Sequence, residues 1–255
     1  MKDNININKV SIITPSYNSE EFISATIEGI INQTYTNWEL LITDDGSSDK
    51  TIDIIKEYQQ KTTKIKLFQL KKNGGAGIAR NNSIKNASGR FIAFCDSDDV
   101  WKYDKLDKQV NFMLKNSLSF TYSAYQKMNE QGVKGAKIFP PKKTTFNSLL
   151  KSCTIGCLTA IYDTNVLGKR YMPTIRKRQD YGLWLTIFKD IKHTVGIYDE
   201  VLAFYRVRSN SISSNKFKAA VYHYRVLREC GEVSFLNSIY LFLHYSIKGL
   251  FKYFK

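Results

Sequence analysis

The stretch Arg90-Phe91-Ile92-Ala93-Phe94-Cys95-Asp96-Ser97-Asp98-Asp99-Val100-Trp101 decides how the chain is read. Phe91 to Cys95 is a short apolar run, of the length and type of a strand buried on both faces. Three carboxylates follow within four positions: Asp96, Asp98 and Asp99. Carboxylates this close repel one another, so a positive charge is expected among them. A hard divalent cation, Mg²⁺ or Mn²⁺, suits the pattern because it binds one or two carboxylates together with phosphate oxygens. An acidic turn capping the next helix has the same residues, since Asp is a favoured N-cap. The stretch alone leaves both readings open.

Working outward, Val10 to Thr14 reads as a first strand, ended by Pro15-Ser16-Tyr17-Asn18 and followed by a helix to about Gln33 that Asn18 or Ser19 can cap. Trp38 to Thr43 is a second strand, ended by Asp44-Asp45-Gly46-Ser47-Ser48-Asp49 ahead of a helix containing Ile52 and Ile55. Ile65 to Leu70 is a third, followed by Asn73-Gly74-Gly75-Ala76-Gly77 and a helix through Arg80 and Asn81. Strands alternating with helices in this rhythm predict an α/β fold with a doubly wound, mostly parallel sheet. Such sheets bind ligands outside the carboxyl ends of their strands. Each of the four polar clusters falls at such an end, and together they predict one site. No Gly-x-Gly-x-x-Gly follows the first strand and no Gly-x₄-Gly-Lys-Ser/Thr occurs, so neither a dinucleotide cradle nor a P-loop is expected.

The ordered motifs Val10–Asn18, Asp44–Asp49, Asn73-Gly-Gly-x₃-Ala79-Arg80-Asn81 and Phe94–Trp101 resemble the signature of glycosyltransferase family 2. The resemblance covers about residues 10 to 215. It implies a GT-A fold and inverting transfer from a nucleotide-activated sugar, usually a UDP-sugar, with Mn²⁺ or Mg²⁺. Carried over by position, Pro15, Tyr17 and Asn18 belong to the nucleotide pocket, the tyrosine near the uracil. Asp45, assisted by Asp44, would accept from the uracil N3–H. Arg80 would approach the base or diphosphate and Asp96 the ribose or sugar hydroxyls. Asp98 would ligate the metal, with Asp99 beside the donor sugar.

The second half breaks the βαβ rhythm, as expected of an acceptor side. Lys105 to Leu114 reads as a helix, Phe120 to Lys127 as a strand, Lys134 to Thr145 as a polar basic loop, and Gly156 to Tyr162 as another strand. In Arg176-Lys177-Arg178-Gln179-Asp180-Tyr181-Gly182-Leu183-Trp184, Tyr181 and Trp184 suit the buried face of a helix, and Asp180 its acidic first turn. The resemblance makes Asp180 the catalytic base, with Gln179 standing where many relatives carry Glu. Tyr205-Arg206-Val207-Arg208-Ser209-Asn210-Ser211-Ile212-Ser213 follows a strand from Val201 to Tyr205. Relatives often carry His at position 208; Arg206 or Arg208 is expected to pair with the leaving diphosphate.

Composition bounds the rest. The chain has 255 residues, 43% hydrophobic and 24% charged, as a folded globular protein has. Residues Met1 to Lys9 lack an apolar h-region, so no signal peptide is expected, and no run is apolar enough to span a bilayer. Cys95, Cys153, Cys157 and Cys230 have no zinc or disulfide spacing, so a reducing, cytoplasmic location is expected, with Cys153 and Cys157 as small buried residues. The net charge of +15 predicts attraction to polyanions. From Lys137 to Arg178 there are nine Lys or Arg (137, 142, 143, 151, 169, 170, 176, 177, 178) and one acid, Asp163. Residues 216–255 read as a basic amphipathic helical extension to a 1–215 domain whose halves are 10–101 for the nucleotide-sugar and 102–215 for the acceptor. That extension suits either an anionic membrane surface, at the inner face of the cell membrane, or packing on the core. The expected partners are a UDP-sugar and a polyprenyl-diphosphate-linked saccharide, as in bacterial O-antigen, capsule or teichuronic-acid synthesis, which the motifs resemble. The guessed sugar is glucose or galactose. No nucleic-acid motif is present, and none of His193, His223 and His244 belongs to a metal pattern. The alternative is a non-catalytic nucleotide-sugar or polyanion binder.

Overall fold

The computed structural model describes residues 7–208 and 216–251; Met1 to Asn6, Ser209 to Ser213 and positions 252–255 of the stretches above lie outside the described residues. In chain order, the first half consists of β1 (Val10–Ser16), α1 (Ile23–Ile31), β2 (Trp38–Asp44), α2 (Thr51–Lys61), β3 (Ile65–Gln69), α3 (Ala76–Asn86) and β4 (Phe91–Phe94). After the acidic loop come β5 (Val100–Trp101), α4 (Lys105–Lys115), β6 (Phe120–Thr121), β7 (Ser123–Met128), β8 (Lys134–Ile138), β9 (Lys143–Thr144), α5 (Phe146–Lys151), a 3-10 turn at Cys157–Thr159, β10 (Ile161–Asp163) and α6 (Thr164–Leu167). The chain continues through α7 (Gln179–Asp190), β11 (Thr194–Val195), β12 (Ile197–Arg206), α8 (Lys216–Glu229) and α9 (Phe235–Phe251).

The main sheet has the order β3-β2-β1-β4-β10-β6. The first four strands are parallel, whereas β10 pairs antiparallel with both β4 and β6. Strand period 2 divides the side chains between two cores. Val10 and Ile12, Leu40 and Ile42, and Phe91 and Ala93 pack with Ile23, Ile27, Ile55, Leu106 and Val110. Ile13, Leu41, Ile92 and Phe94 pack on the other face with Ile84 of α3 and Leu183 and Trp184 of α7. The indole of Trp184 stands edge-on to Phe94 and Phe120, at centroid distances of 5.6 and 5.0 Å. Pro15 is tolerated in the central strand because β1 runs past β4. The β1–β4 register ends at Ile13↔Phe94, so the missing N–H falls where no ladder partner stands.

Three expectations need correction. Lys134 to Thr145 is not a loop: β8 pairs with β7, and β9 with β11, despite their polar sequence. Gly156 to Tyr162 is mostly a 3-10 turn, and only Ile161–Asp163 is strand. Phe120 to Lys127 breaks at Tyr122 into β6 and β7, which belong to different sheets. The 101/102 boundary therefore divides no domain, because β6 and β10 complete the sheet that β1 to β4 begin. The C-terminal extension is likewise part of the fold, with Val226, Leu227, Cys230, Val233 and Leu241 in the core that contains Trp184. All four cysteines are free, and Cys153 and Cys157 are half-buried rather than fully enclosed. No described helix is long and apolar enough to cross a membrane.

At the amino ends of the strands, far from the acidic loop, Glu39 is buried among donors. Ser11 Oγ and Ser88 N–H each donate to its Oε1 at 2.7 Å, and Lys9 and Lys66 pair with Oε2 at 3.1 and 2.9 Å. Burial pushes the carboxyl up, but Lys66, Ser11 and Ser88 outweigh it and hold its pKa at about 2. The carboxylate therefore contributes stability in full above its ordinary value of 4.5, and that contribution is lost as pH falls toward 2. Glu39→Gln should cost about 3 kcal/mol at pH 7, and much less near pH 2, in urea unfolding followed by fluorescence.

Candidate active site

The carboxyl ends of β1, β2, β3 and β4 meet at one edge, and short polar contacts join their loops. Asn18 (φ 44°) accepts from Ser48 N–H through Oδ1 at 2.9 Å, and its own N–H donates to Ser47 Oγ at 2.9 Å. Asp45 takes Gly74 N–H and Gly75 N–H on its two oxygens, both at 2.7 Å, and so ties the β2 loop to the loop before α3. Gly75 sits at φ 91°, a backbone region that other residues enter only with strain. Tyr17, 49% exposed, leaves its ring at the rim of this edge.

The acidic loop from Cys95 to Asp99 joins β4 in one sheet to β5 in the other. Ser19 Oγ and Ser97 Oγ bond at 2.8 Å, and Thr26 Oγ1 donates to Asp99 O at 2.8 Å. Asp96 and Asp98 face outward, their side chains 32% and 23% exposed, and Asp99 turns inward. Asp96 pairs with Arg80, and Asp98 Oδ2 lies 3.7 Å from Arg208 Nη1. Burial raises the Asp98 pKa to about 6, the neighbouring Asp96 adding to it and Arg208 opposing. Asp99 is also pushed up, first by burial and then by Asp98 and Asp96.

Opposite this loop stands the start of α7. Gln179 is buried and its Oε1 accepts from Arg80 Nη1 at 3.3 Å. Asp180 follows in the first turn. Burial raises its pKa, opposed by the Tyr181 N–H and by Arg80 and Arg178, with Asp96 raising it further. Asp180 thus lies within electrostatic reach of both members of the Arg80–Asp96 pair. A cavity of about 170 Å³ opens beside Gln179, between Gly74 and Gly77 on one side and Thr174 and Arg176 on the other. A wider depression of about 580 Å³ lies at the opposite sheet edge, beside Glu39 and away from these acids.

Three residues expected to touch ligand are engaged by the scaffold instead. Asp44 is fully buried and takes four donors: Gly46 N–H and Ser47 N–H on Oδ1, Ser16 Oγ and Ser47 Oγ on Oδ2. Asp99 Oδ1 accepts Arg206 N–H at 2.9 Å, tying the acidic loop to β12. Arg206 directs its guanidinium to the carbonyls of Asp98, Asn129 and Glu130. Arg208 is the cation left near Asp98, over the Phe22 ring at 5.0 Å. Sequence reading assigned no role to Asn81, whose side chain exchanges two hydrogen bonds with the Met172 backbone, at 2.9 and 2.7 Å. His223, read from the sequence as structural and outside any metal pattern, stacks on Tyr181 at 5.2 Å and is held neutral by burial, its pKa lowered to about 3. Neither role has a local signal, because each joins segments about 40 or more positions apart.

The donor set suits a divalent cation that completes its shell with substrate. Among the described residues no three His, Cys, Asp or Glu converge as a metal cage. Mg²⁺ and Mn²⁺ need only one or two carboxylates when phosphates supply the rest. Asp98, raised by burial and by Asp96, is a carboxylate that added positive charge would bring back to its ordinary range.

Comparisons with known proteins identify the family. The family model for glycosyl transferase family 2 matches residues 11–170. The UDP-Glc:alpha-D-GlcNAc-diphosphoundecaprenol beta-1,3-glucosyltransferase WfgD of Escherichia coli is 45% identical over 244 residues, 96% of this chain and 94% of that protein. TuaG of Bacillus subtilis, named as a candidate teichuronic acid biosynthesis glycosyltransferase, is 41% identical over 93% of this chain and 94% of its own length. The crystal structure of S. aureus TarS 1-349 in complex with UDP-GlcNAc superposes with a TM-score of 0.73, at 22% identity over 93% of this chain and 71% of that one, and supports the fold. A family model spanning more than half of the chain, and relatives this similar over nearly their whole length, make the chain a member of glycosyltransferase family 2, with the GT-A fold and the enzymatic class that go with it.

Proposed function

We propose that this glycosyltransferase moves a hexose, with glucose as first choice and galactose as second, from a UDP-sugar to a polyprenyl-diphosphate-linked saccharide in the synthesis of a bacterial surface polysaccharide, with inversion and with Mn²⁺ or Mg²⁺. The observation that carries this reading is the meeting, at one sheet edge, of the outward carboxylates Asp96 and Asp98 with Asp180, through Arg80. The printed activity of the 45% identical relative supports the donor and acceptor class.

In this reading Pro15, Tyr17, Asn18 and Asp45 form the nucleotide pocket. Asp45 has lone pairs left after its two backbone donors, so it can also accept an imide N–H. Arg80 and Asp96 face the donor sugar and diphosphate, and Asp98 holds the cation, which when bound offsets the diphosphate charge. The acceptor oxygen forms its bond to the anomeric carbon as the bond to the UDP oxygen breaks, and Asp180 takes the hydroxyl proton. A carboxyl pushed up by burial is a stronger base, as that role requires. Arg208, paired with Asp98 at 3.7 Å, is positioned to steady the departing diphosphate.

The acceptor's lipid calls for a membrane-facing surface, and α9 has a fitting face. Phe235, Leu236, Ile239, Tyr240 and Leu243 form an exposed stripe at helical spacing, while Ser238 and Leu241 point into the protein. Residues 216–255 carry seven Lys or Arg and two acids, so the occupant proposed for this stripe is an anionic bilayer, at the cytoplasmic face of the cell membrane.

UDP release from a panel of UDP-sugars, with Mn²⁺ or with EDTA, tests the reaction. Release should depend on the metal and favour one sugar. Asp98→Ala should abolish it, and Asp180→Ala should lower transfer about 10²- to 10⁴-fold while UDP affinity is kept. Lack of release from any donor, with lipid-linked acceptors present, would return the weight to a binding protein. Arg208→Ala should weaken UDP binding by about tenfold in calorimetry, and unchanged affinity would remove Arg208 from the site. For the membrane face, Leu236→Glu with Tyr240→Glu should cut co-sedimentation with phosphatidylglycerol vesicles by about tenfold or more without lowering UDP release. Equal pelleting of wild type and variant would show that the stripe is not the docking face.

A further inference from the structure

We propose that Gln179 is a positioning residue of the transfer reaction, whose side-chain carbonyl, by accepting from Arg80, holds the first turn of α7 and therefore Asp180 in register with Asp96. The inference rests on the reading of Asp180 as the base.

Three observations carry it. First, α7 begins without a side-chain cap. Its N-cap, Arg178, is a left-handed non-glycine residue at φ 59° and makes no side-chain cap bond to the helix. The first turn therefore has no N-cap side chain of its own to fix it. Secondly, the hold comes from α3. Arg80 donates to Gln179 Oε1 with one terminal nitrogen and pairs with Asp96 through the other, so one guanidinium spans the base helix and the acidic loop. The next residue, Asn81, clamps Met172, seven positions before Gln179. Consecutive residues of α3 thus fix the whole segment leading into α7. Thirdly, Gly77 is shaped around this contact: a Cβ there would lie 2.8 Å from Gln179 Cδ and 2.8 Å from Nε2. Closeness on the other side is enforced at Gly182, where a Cβ would stand 2.5 Å from Pro173 Cγ. The first turn of α7 is therefore gripped on two sides, and Gln179 is the polar half of the grip.

An amide suits this position. Arg80 already has Asp96 as its ion-pair partner, and Asp180 is close enough to act on it. A neutral carbonyl accepts a second hydrogen bond from Arg80 without adding another carboxylate beside Asp96 and Asp180. Because a misplacement of about 1 Å can cost on the order of 10²-fold in rate, the contact bears on turnover rather than on donor affinity.

The test measures transfer from UDP-glucose, or the sugar selected by the donor panel, to a GlcNAc-diphosphate-lipid, with UDP affinity by calorimetry and the urea unfolding midpoint alongside. Gln179→Ala should lower kcat by roughly 10- to 100-fold and leave UDP affinity and the unfolding midpoint near the wild-type values. Gln179→Glu, which keeps the accepting oxygen, should retain more turnover than Gln179→Ala. Gly77→Ala should lower kcat in the wild-type background yet cost little in the Gln179→Ala background, where its clash is gone. Unchanged kcat in Gln179→Ala, a loss of UDP affinity as large as the loss of kcat, or a full Gly77→Ala cost in both backgrounds would each overturn the proposal. Asp180→Ala separates the two readings. If it leaves transfer intact, the base assignment itself fails. If it abolishes transfer while Gln179→Ala leaves kcat unchanged, only the positioning role fails.

Discussion

Too many carboxylates share one sheet edge, and the structure depends on how each is compensated. Asp44, Asp45, Asp96, Asp98 and Asp99 all end strands of the same sheet, where unbalanced they would repel one another. Each is answered from a different part of the chain. Asp44 takes the donors of its own turn, Asp45 the loop before α3, Asp96 the guanidinium of α3, Asp98 Arg208, and Asp99 the backbone of β12. Neutralising the acids and joining the loops are therefore one process. The outward pair, Asp96 and Asp98, keeps its freedom to meet ligand because the inward acids take over the bracing.

The first half of the chain was legible because its signals are local. β4 is a continuous apolar run, β1 and β2 have apolar centres, and the parallel order follows from alternation with helices. What stayed hidden depends on distance along the chain. Nothing local distinguishes Asp44 from Asp45, yet one is sealed in its turn and the other reaches Gly74 and Gly75. Arg206 and Arg208 look equivalent two positions apart. Arg206 ends β12 and turns its guanidinium to the carbonyls of Asn129 and Glu130, whereas Arg208, past the end of the strand, lies by Asp98. β8 was read as a loop because its residues, Lys134–Ile138, are polar and exposed; pairing with β7 and not burial makes it a strand.

The C-terminal helices show both sides of an amphipathic pattern. Their inner residues, Val226, Leu227, Cys230 and Leu241, close the core around Trp184, and His223 lies flat on Tyr181, next to Asp180. The outer stripe of α9 remains apolar and uncovered among the described residues. The segment read as an appendage thus backs the helix that carries the candidate base, and any surface that α9 rests on is mechanically continuous with α7 through packed side chains.

The place of β10 in the main sheet has a consequence for the chain as a folding unit. It is inserted antiparallel between β4 and β6, so β6 acquires its one sheet neighbour from a strand that the chain reaches only at Ile161. A chain cut before that point leaves the outer edge of β4 open, with Phe91, Ile92 and Phe94 behind unpaired backbone groups, an edge of the kind that invites aggregation. Residues 10–101 and 102–215 are thus joined by two late strands, β10 on β4 and β12 on β5. A cut at residue 101 would part β4 from β10 and β5 from β12 and so expose strand edges in both sheets.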